Sequence, residues 1–224
     1  MRVRVRTACS LATAAPSFCD DPRGAAFAVP RAMKKVGVFY ATREGQARKV
    51  ADRIGGALIA RDLEVAIHDV KDADAPDALA LCVAVVLVAS VHTGEHEQEM
   101  IDFVNEHPRV RELPSAFVSV CLTEITVEDP GQPLAVRAAA AKKVHQQVHA
   151  FLDKAHWHPA HVHPVAGALL YTHYNVLVRF VMSRIAKASG MPTDTSHDYE
   201  FTDWGSVDDF ALRLARELTT GEAA

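Results

Sequence analysis

Short apolar runs alternate with amphipathic stretches along most of this chain, and the period of the pattern switches each time. Residues 35–41, KVGVFYA, are a continuous apolar run with β-branched and aromatic side chains, which predicts a buried strand. After Gly45 the period changes. Ala47, Val50, Ile54, Ala57 and Leu58 recur at three- and four-residue spacing, predicting an amphipathic helix over 46–61. Gly55 and Gly56 fall inside it, and each lowers helix propensity by about 1 kcal/mol, which close packing on a sheet must offset. Further strands are predicted at 64–70, 81–90, 115–122 and 161–170, with a strand end at 199–204. The run LCVAVVLVAS at 81–90 has no polar face, as a central parallel strand covered on both sides requires. Helices are predicted at 95–107, 133–155, 174–189 and 206–218, the last with Ser206 as its cap.

Strands alternating with helices imply an α/β fold: a parallel sheet with helices on both faces. Five strands in the order 2-1-3-4-5 is the natural small arrangement, with residues 171–198 as a helical insert in the last strand. The chain of 224 residues, about half of them apolar, suits one domain with a sizeable core, expected over 33–220. Residues 1–32 differ in composition, being rich in Ala and Arg, with five Arg against two Asp. They read as a disordered extension, or as a start placed ahead of Met33, where MKKVGVFY opens the first strand. Net charge is −4 overall and about −7 without that extension, which argues against nucleic-acid binding. Cys9, Cys19, Cys82 and Cys121 form no C-x-x-C pair, in keeping with a reduced, cytoplasmic setting. No apolar run approaches the roughly 20 residues needed to cross a bilayer.

In a sheet of this kind ligands sit beyond the carboxyl ends of the strands, where the winding reverses, between the first and third strands. The loop ATREGQA at 41–47 runs from the first strand into a helix, so its amides and the helix N-terminus suit a phosphate. Thr42 offers a hydroxyl and Gly45 a tight turn. No Lys follows the glycine as in a P-loop, and the repeated glycines of a dinucleotide fingerprint are missing, so a single phosphate is the expected target. Two more loops converge there. ASVHTGEHEQE (89–99) brings Ser90, Val91, His92, Thr93 and Gly94, and the long polar CLTEITVEDPGQP (121–133) brings Cys121, Leu122 and Thr123.

This arrangement resembles the flavodoxin fold, whose first loop follows [ST]-x-T-G-x-T and holds the phosphate of FMN. Thr42 and Gly45 match that pattern, whereas Glu44 and Ala47 depart from it and remove two hydroxyls. The resemblance implies an FMN site formed by Thr42, Arg43, Glu44, Gly45, Gln46 and Ala47 with the two flanking loops. It also requires Glu44 to turn its carboxylate away from the phosphate. Flavodoxins commonly stack aromatic side chains on the flavin ring, but 90–97 and 121–132 contain no Phe, Tyr or Trp, so the ring is expected to be held differently. The segments FYATREGQA, VASVHTGEH, LPSAFVSVCL and WHPAHVHPVAGALLY, with FTDW at 201–204, narrow the match. Across roughly 33–218 the chain is similar to the flavodoxin-like protoporphyrinogen oxidase family, the menaquinone-dependent dehydrogenases of bacterial haem synthesis. That family implies FMN-dependent oxidation of protoporphyrinogen IX, in three two-electron rounds, with a quinone as acceptor.

The predicted helix 174–189 is basic and amphipathic, carrying Arg179, Arg184 and Lys187 and no acid. Its apolar side either covers the sheet edge or lies at the cytoplasmic face of a membrane. The resemblance places it near the flavin, where Arg179 and Arg184 can pair with substrate propionates or lipid phosphates. The dense histidines of 149–163 read as solvated or strand-edge residues, with no metal expected. Cys121 reads as a buried strand-end thiol. No catalytic acid or base follows from the residues; water, His92 and His173 are equal candidates to receive protons. Other classes remain open: a flavodoxin-type electron carrier, an NAD(P)H:quinone reductase, and a flavodoxin-like binding module that has lost its flavin.

Overall fold

The computed structural model describes residues 35–173, 179–180, 184 and 193–220. The extension over 1–32 and most of the predicted helix 174–189 lie outside the described residues.

Five strands form a parallel sheet: β1 (Lys35–Ala41), β2 (Glu64–Asp69), β3 (Ala84–His92), β5 (Ser115–Cys121) and β6 (His161–Ala166). Their order is β2-β1-β3-β5-β6, which is the expected winding. The two-residue β4 (Glu95–His96) adds an antiparallel partner to the end of β3. The pleat sorts side chains to opposite faces. Val36, Val38 and Tyr40 of β1 join one core cluster, and Phe39 and Ala41 join the other.

The first face is covered by α1 (Gln46–Ile59) and the C-terminal α7 (Trp204–Thr220), which bury Val50, Ile54, Leu58, Phe210 and Leu214 against the valines of β1, β3 and β5. Gly55 lies where α1 comes closest to β2; a Cβ there would be 2.5 Å from Ile67 Cδ1. The close approach offsets the helix cost anticipated from the sequence. The second face is covered by α2 (Ala75–Ala80), α3 (Gln98–Glu106), α4 (Arg109–Glu112) and α6 (Leu134–Ala155). Its centre is aromatic: Phe117 and Phe151 stack at 4.3 Å, with Trp157 edge-on at 5.9 Å from Phe117.

Several local expectations are corrected. The short α2, α4 and α5 (Thr123–Glu128) were not foreseen, because helices of four to six residues show no repeating period. The predicted helix at 95–107 starts later, at Gln98, because Glu95 and His96 are drawn into β4. The last strand stops at Ala166. Beyond Gly167, β7 (Ala168–Leu169) leaves the main sheet and pairs with β8 (Tyr199–Glu200), so a two-residue ribbon closes the base of the insert. The cap of α7 is Asp203, not Ser206: its Oδ1 accepts the N–H groups of Gly205 (2.9 Å) and Ser206 (3.2 Å). Among the described residues no helix is long and apolar enough to cross a membrane.

Candidate functional site

The carboxyl ends of β1 and β3 lie side by side, with Tyr40 opposite Val88 and Ala41 opposite Ala89. From there the chain winds outward in opposite directions, to β2 and to β5. The loops after β1 and β3 therefore face each other across the switch point.

In the first loop Gly45 has a φ of 93°, a left-handed conformation that a side chain would strain, and its N–H donates to Thr42 Oγ1 at 2.9 Å. Gly45 is also the N-cap of α1. No side chain caps this helix and its first turn carries no acid, so its leading amides keep their positive end open. Ala47 is fully buried, so its side chain joins the core and only its backbone faces the loop. The Glu44 carboxylate, which the sequence required to turn aside, lies 3.7 Å from His92 Nδ1 on the opposite loop. The Nε of Arg43 donates to Glu97 Oε2 at 2.8 Å, and Glu97 is only 3% exposed. Ser90 Oγ lies 3.3 Å from Glu97 Oε1 and 3.4 Å from Ala41 O, and its one proton can serve either. The hydrogen bond and charge of Glu97 raise the Arg43 guanidinium further above its usual range.

The second loop is a hairpin and not the direct strand-to-helix turn expected. Thr93 (φ 51°) and Gly94 (φ 93°) both take positive φ, as a two-residue type I′ connection requires. Val91 and His92 pair with His96 and Glu95. His96 folds under the hairpin, with Nε2 2.8 Å from Ser119 Oγ on β5. Burial lowers its pKa to about 4, against a smaller opposing effect from the Gln147 backbone, so it is neutral at pH 7.

The third loop begins with Cys121, Leu122 and Thr123 and continues as α5. Cys121 is 3% exposed, and burial pushes its thiol up to about 12, so it stays protonated. Glu128, at the end of α5, has its carboxyl pushed up to about 7, first by desolvation and then by the like charges of Glu124 and Asp203; the Ala166 N–H pulls the other way. Glu128 as a residue is exposed, so the neighbouring acids and the adjoining wall shape its carboxyl without enclosing it. Arg137 of α6 gives its Nε to the backbone carbonyl of Val127, the residue before Glu128, at 2.9 Å.

Sequence reasoning missed the residues that brace the first loop from the far end of the chain. Gln46 is 5% exposed, and its Nε2 donates to Thr202 Oγ1 at 2.8 Å; Thr202 Oγ1 donates in turn to Ala166 O at 2.7 Å. Lys49 meets Glu200 at 2.7 Å and Arg53 meets Asp208 at 2.6 Å. The signal was present, because TREGQ and FTDW were both singled out as motifs. Nothing in one sequence said that they touch. The Arg179 Nε donates to Tyr171 O at 2.9 Å, and Arg184 lies over the Phe180 ring at 5.6 Å. The two histidines of β6 have structural partners: His161 meets Glu217 at 2.7 Å and His163 stacks on Phe210 at 4.6 Å. After β2, His68, Asp72 and Asp74 bring donor atoms within 4.8 Å of one another, but Asp72 also closes a turn by accepting the Asp69 N–H.

The donor set fits a phosphate monoester with a hydroxylated tail. The open first turn of α1 and Thr42 suit the phosphate. Gln46 Oε1, a buried acceptor with no partner among the described residues, suits a hydroxyl. A model of the flavodoxin domain matches residues 37–196. Protoporphyrinogen IX dehydrogenase (quinone) of Escherichia coli K12 is 30% identical over 179 residues, covering 80% of this chain and 93% of its own. The protein of the same name from Leishmania major is 31% identical over 181 residues, covering 80% and 73%. Among solved structures, a flavodoxin from the domain Archaea superposes with a TM-score of 0.45 at 13% identity, covering 83% of this chain and 99% of that one.

Proposed function

Because the chain belongs to the flavodoxin domain family, with protoporphyrinogen IX dehydrogenases among its relatives, we propose that it is an FMN-dependent oxidoreductase that converts protoporphyrinogen IX to protoporphyrin IX. The electrons go to a quinone, menaquinone in a bacterial setting, and the product serves haem synthesis. The observation that carries the reading is the uncapped, acid-free start of α1 at the switch point, with Glu44 turned away toward His92.

Bound there, FMN supplies a two-electron acceptor for hydride from the porphyrinogen. The residues of this chain do the rest. Amides of Gln46 and Ala47 and the Thr42 hydroxyl hold the phosphate, while the Gly45 N–H closes the turn onto Thr42 Oγ1. Arg43 is held to Glu97, which ties the two loops together, and the Glu44 carboxylate lies to the side near His92. Ser90–Gly94 on one side and Cys121–Thr123 on the other flank the ring. Each two-electron step also releases a proton. Glu128 titrates near neutrality beside the third loop, so its carboxylate is suited to accept that proton. Arg179 and Arg184 provide cations for the substrate propionates, or for lipid phosphates at a membrane surface.

The acids Glu124, Glu128 and Asp203 also favour a second reading, a flavodoxin-type carrier that offers an acidic face to a basic partner. One experiment separates the two. The FMN-loaded protein is mixed anaerobically with protoporphyrinogen and a menaquinone analogue, while flavin absorbance and porphyrin fluorescence are followed together. Enzyme activity predicts porphyrin fluorescence that grows over many turnovers with quinone consumption. Flavin reduction without porphyrin formation would leave the carrier, and failure to bind FMN would remove both.

A further inference from the structure

We propose that Thr202 is a positioning residue for the phosphate end of the cofactor site, acting through Gln46; this rests on the reading that the first loop holds FMN. The argument starts from what α1 lacks. Its N-cap is a glycine at φ 93°, with no side chain to hold the first turn. Thr42 Oγ1 takes the Gly45 N–H, but no local side chain caps the amides of the first turn beyond it. The brace for that turn comes from 156 residues downstream.

Proton counting settles its geometry. The single hydroxyl proton of Thr202 goes to the carbonyl of Ala166, the last residue of β6. The Thr202 oxygen is left as an acceptor, so Gln46, the first residue of α1, must present its NH₂ and not its carbonyl. Both groups are at least nine-tenths buried, so water competes poorly for these bonds. The bridge Ala166–Thr202–Gln46 thus ties the outermost strand to the mouth of the phosphate loop. Outside it, Lys49 meets Glu200 and Arg53 meets Asp208, so residues 200–208 run alongside the first two turns of α1. Those outer pairs are exposed and individually weak. The buried bridge is the part that can set an angle.

The predicted signature is a difference between two ligands. Thr202→Val keeps the volume and removes both hydrogen bonds. FMN affinity should fall about tenfold, as expected for one buried hydrogen-bond relay, while affinity for riboflavin, which has no phosphate, stays within about twofold. Thr202→Ser keeps the hydroxyl and should restore FMN binding. Equal loss for both flavins would make Thr202 a general structural residue, and unchanged FMN affinity would overturn the proposal outright. A second measurement on flavin-free protein keeps the idea separate from the cofactor reading. The Lys49 amide makes the first helical hydrogen bond of α1, to Gly45 O at 3.2 Å. Its hydrogen exchange should accelerate in Thr202→Val, and an unchanged rate would sink the latch whether or not the protein binds FMN. Faster exchange in Thr202→Val together with wild-type protein that retains no FMN would overturn the cofactor reading, and with it the functional half of this proposal.

Discussion

The charged groups at the carboxyl edge of the sheet are organised in two contrasting ways. On the β1–β3 side two acids of the facing loops lie against basic side chains: Glu97 with Arg43, Glu44 with His92. On the β5–β6 side Glu124, Glu128 and Asp203 gather with no cation partner among the described residues. Paired charges cost little to hold and fix loop geometry. Unpaired like charges raise one another's proton affinity. One side is therefore suited to holding a ligand, and the other to exchanging protons with it.

The largest expected effect breaks the proton-exchanging side. Glu128→Gln should lower kcat by about a hundredfold or more, the usual contribution of a positioned base. The base acts when deprotonated, so the wild-type rate should rise with pH through about 7 and then level off. The charges facing it are Glu124 on its own helix and Asp203 at the start of α7, with Arg137 on α6 nearby. Loss of the pH limb in the variant, with KM little changed, is the outcome to look for; an intact limb would assign the proton to another group.

On the paired side, Arg43→Ala should cost about 3 kcal/mol in urea unfolding, because it strands a carboxylate that is 3% exposed. Glu97→Gln should cost clearly less, since the Arg43 side chain it leaves behind is 53% exposed and water can solvate it. Equal costs would mean that burial does not control this pair.

A comparable effect, reached only in acid, belongs to His96. Its folded pKa of about 4 lies below the ordinary 6.5. The unfolded chain therefore binds the extra proton first. Stability should be unaffected above about pH 6.5 and fall between 6.5 and 4, by roughly 3 kcal/mol at the low end. In His96→Gln the difference in unfolding free energy between pH 7 and pH 4 should shrink by about that amount.

The smallest change sharpens the ligand side. Glu44→Gln removes a negative charge next to the start of α1 and should tighten FMN binding by a few-fold, on the scale of a helix-terminus charge effect. Unchanged affinity would show that the Glu44 charge is not felt at the start of α1.

The parallel sheet and its order were legible because periods of two, of 3.6 and of continuous apolar sequence are imposed by burial itself. The first loop was legible for a related reason: a strand, a glycine and a helix in succession constrain the backbone locally. The hairpin at Thr93–Gly94 was not, because a non-glycine residue at positive φ leaves no compositional mark. Glu97 reads as one more surface acid in a helical stretch, and only the fold reveals its burial. The Gln46–Thr202 bond joins motifs at opposite ends of the domain, and a single sequence carries no information about which distant residues meet.

The small ribbon of β7 and β8 has a consequence for how this protein can be remodelled. Leu169 and Tyr199 stand side by side, so the excursion between them begins and ends at one doorway. A chain arranged in this way can exchange that excursion for another of any length without re-registering a strand of the main sheet. What lies beyond that doorway can thus be replaced as a graft, leaving the parallel sheet untouched.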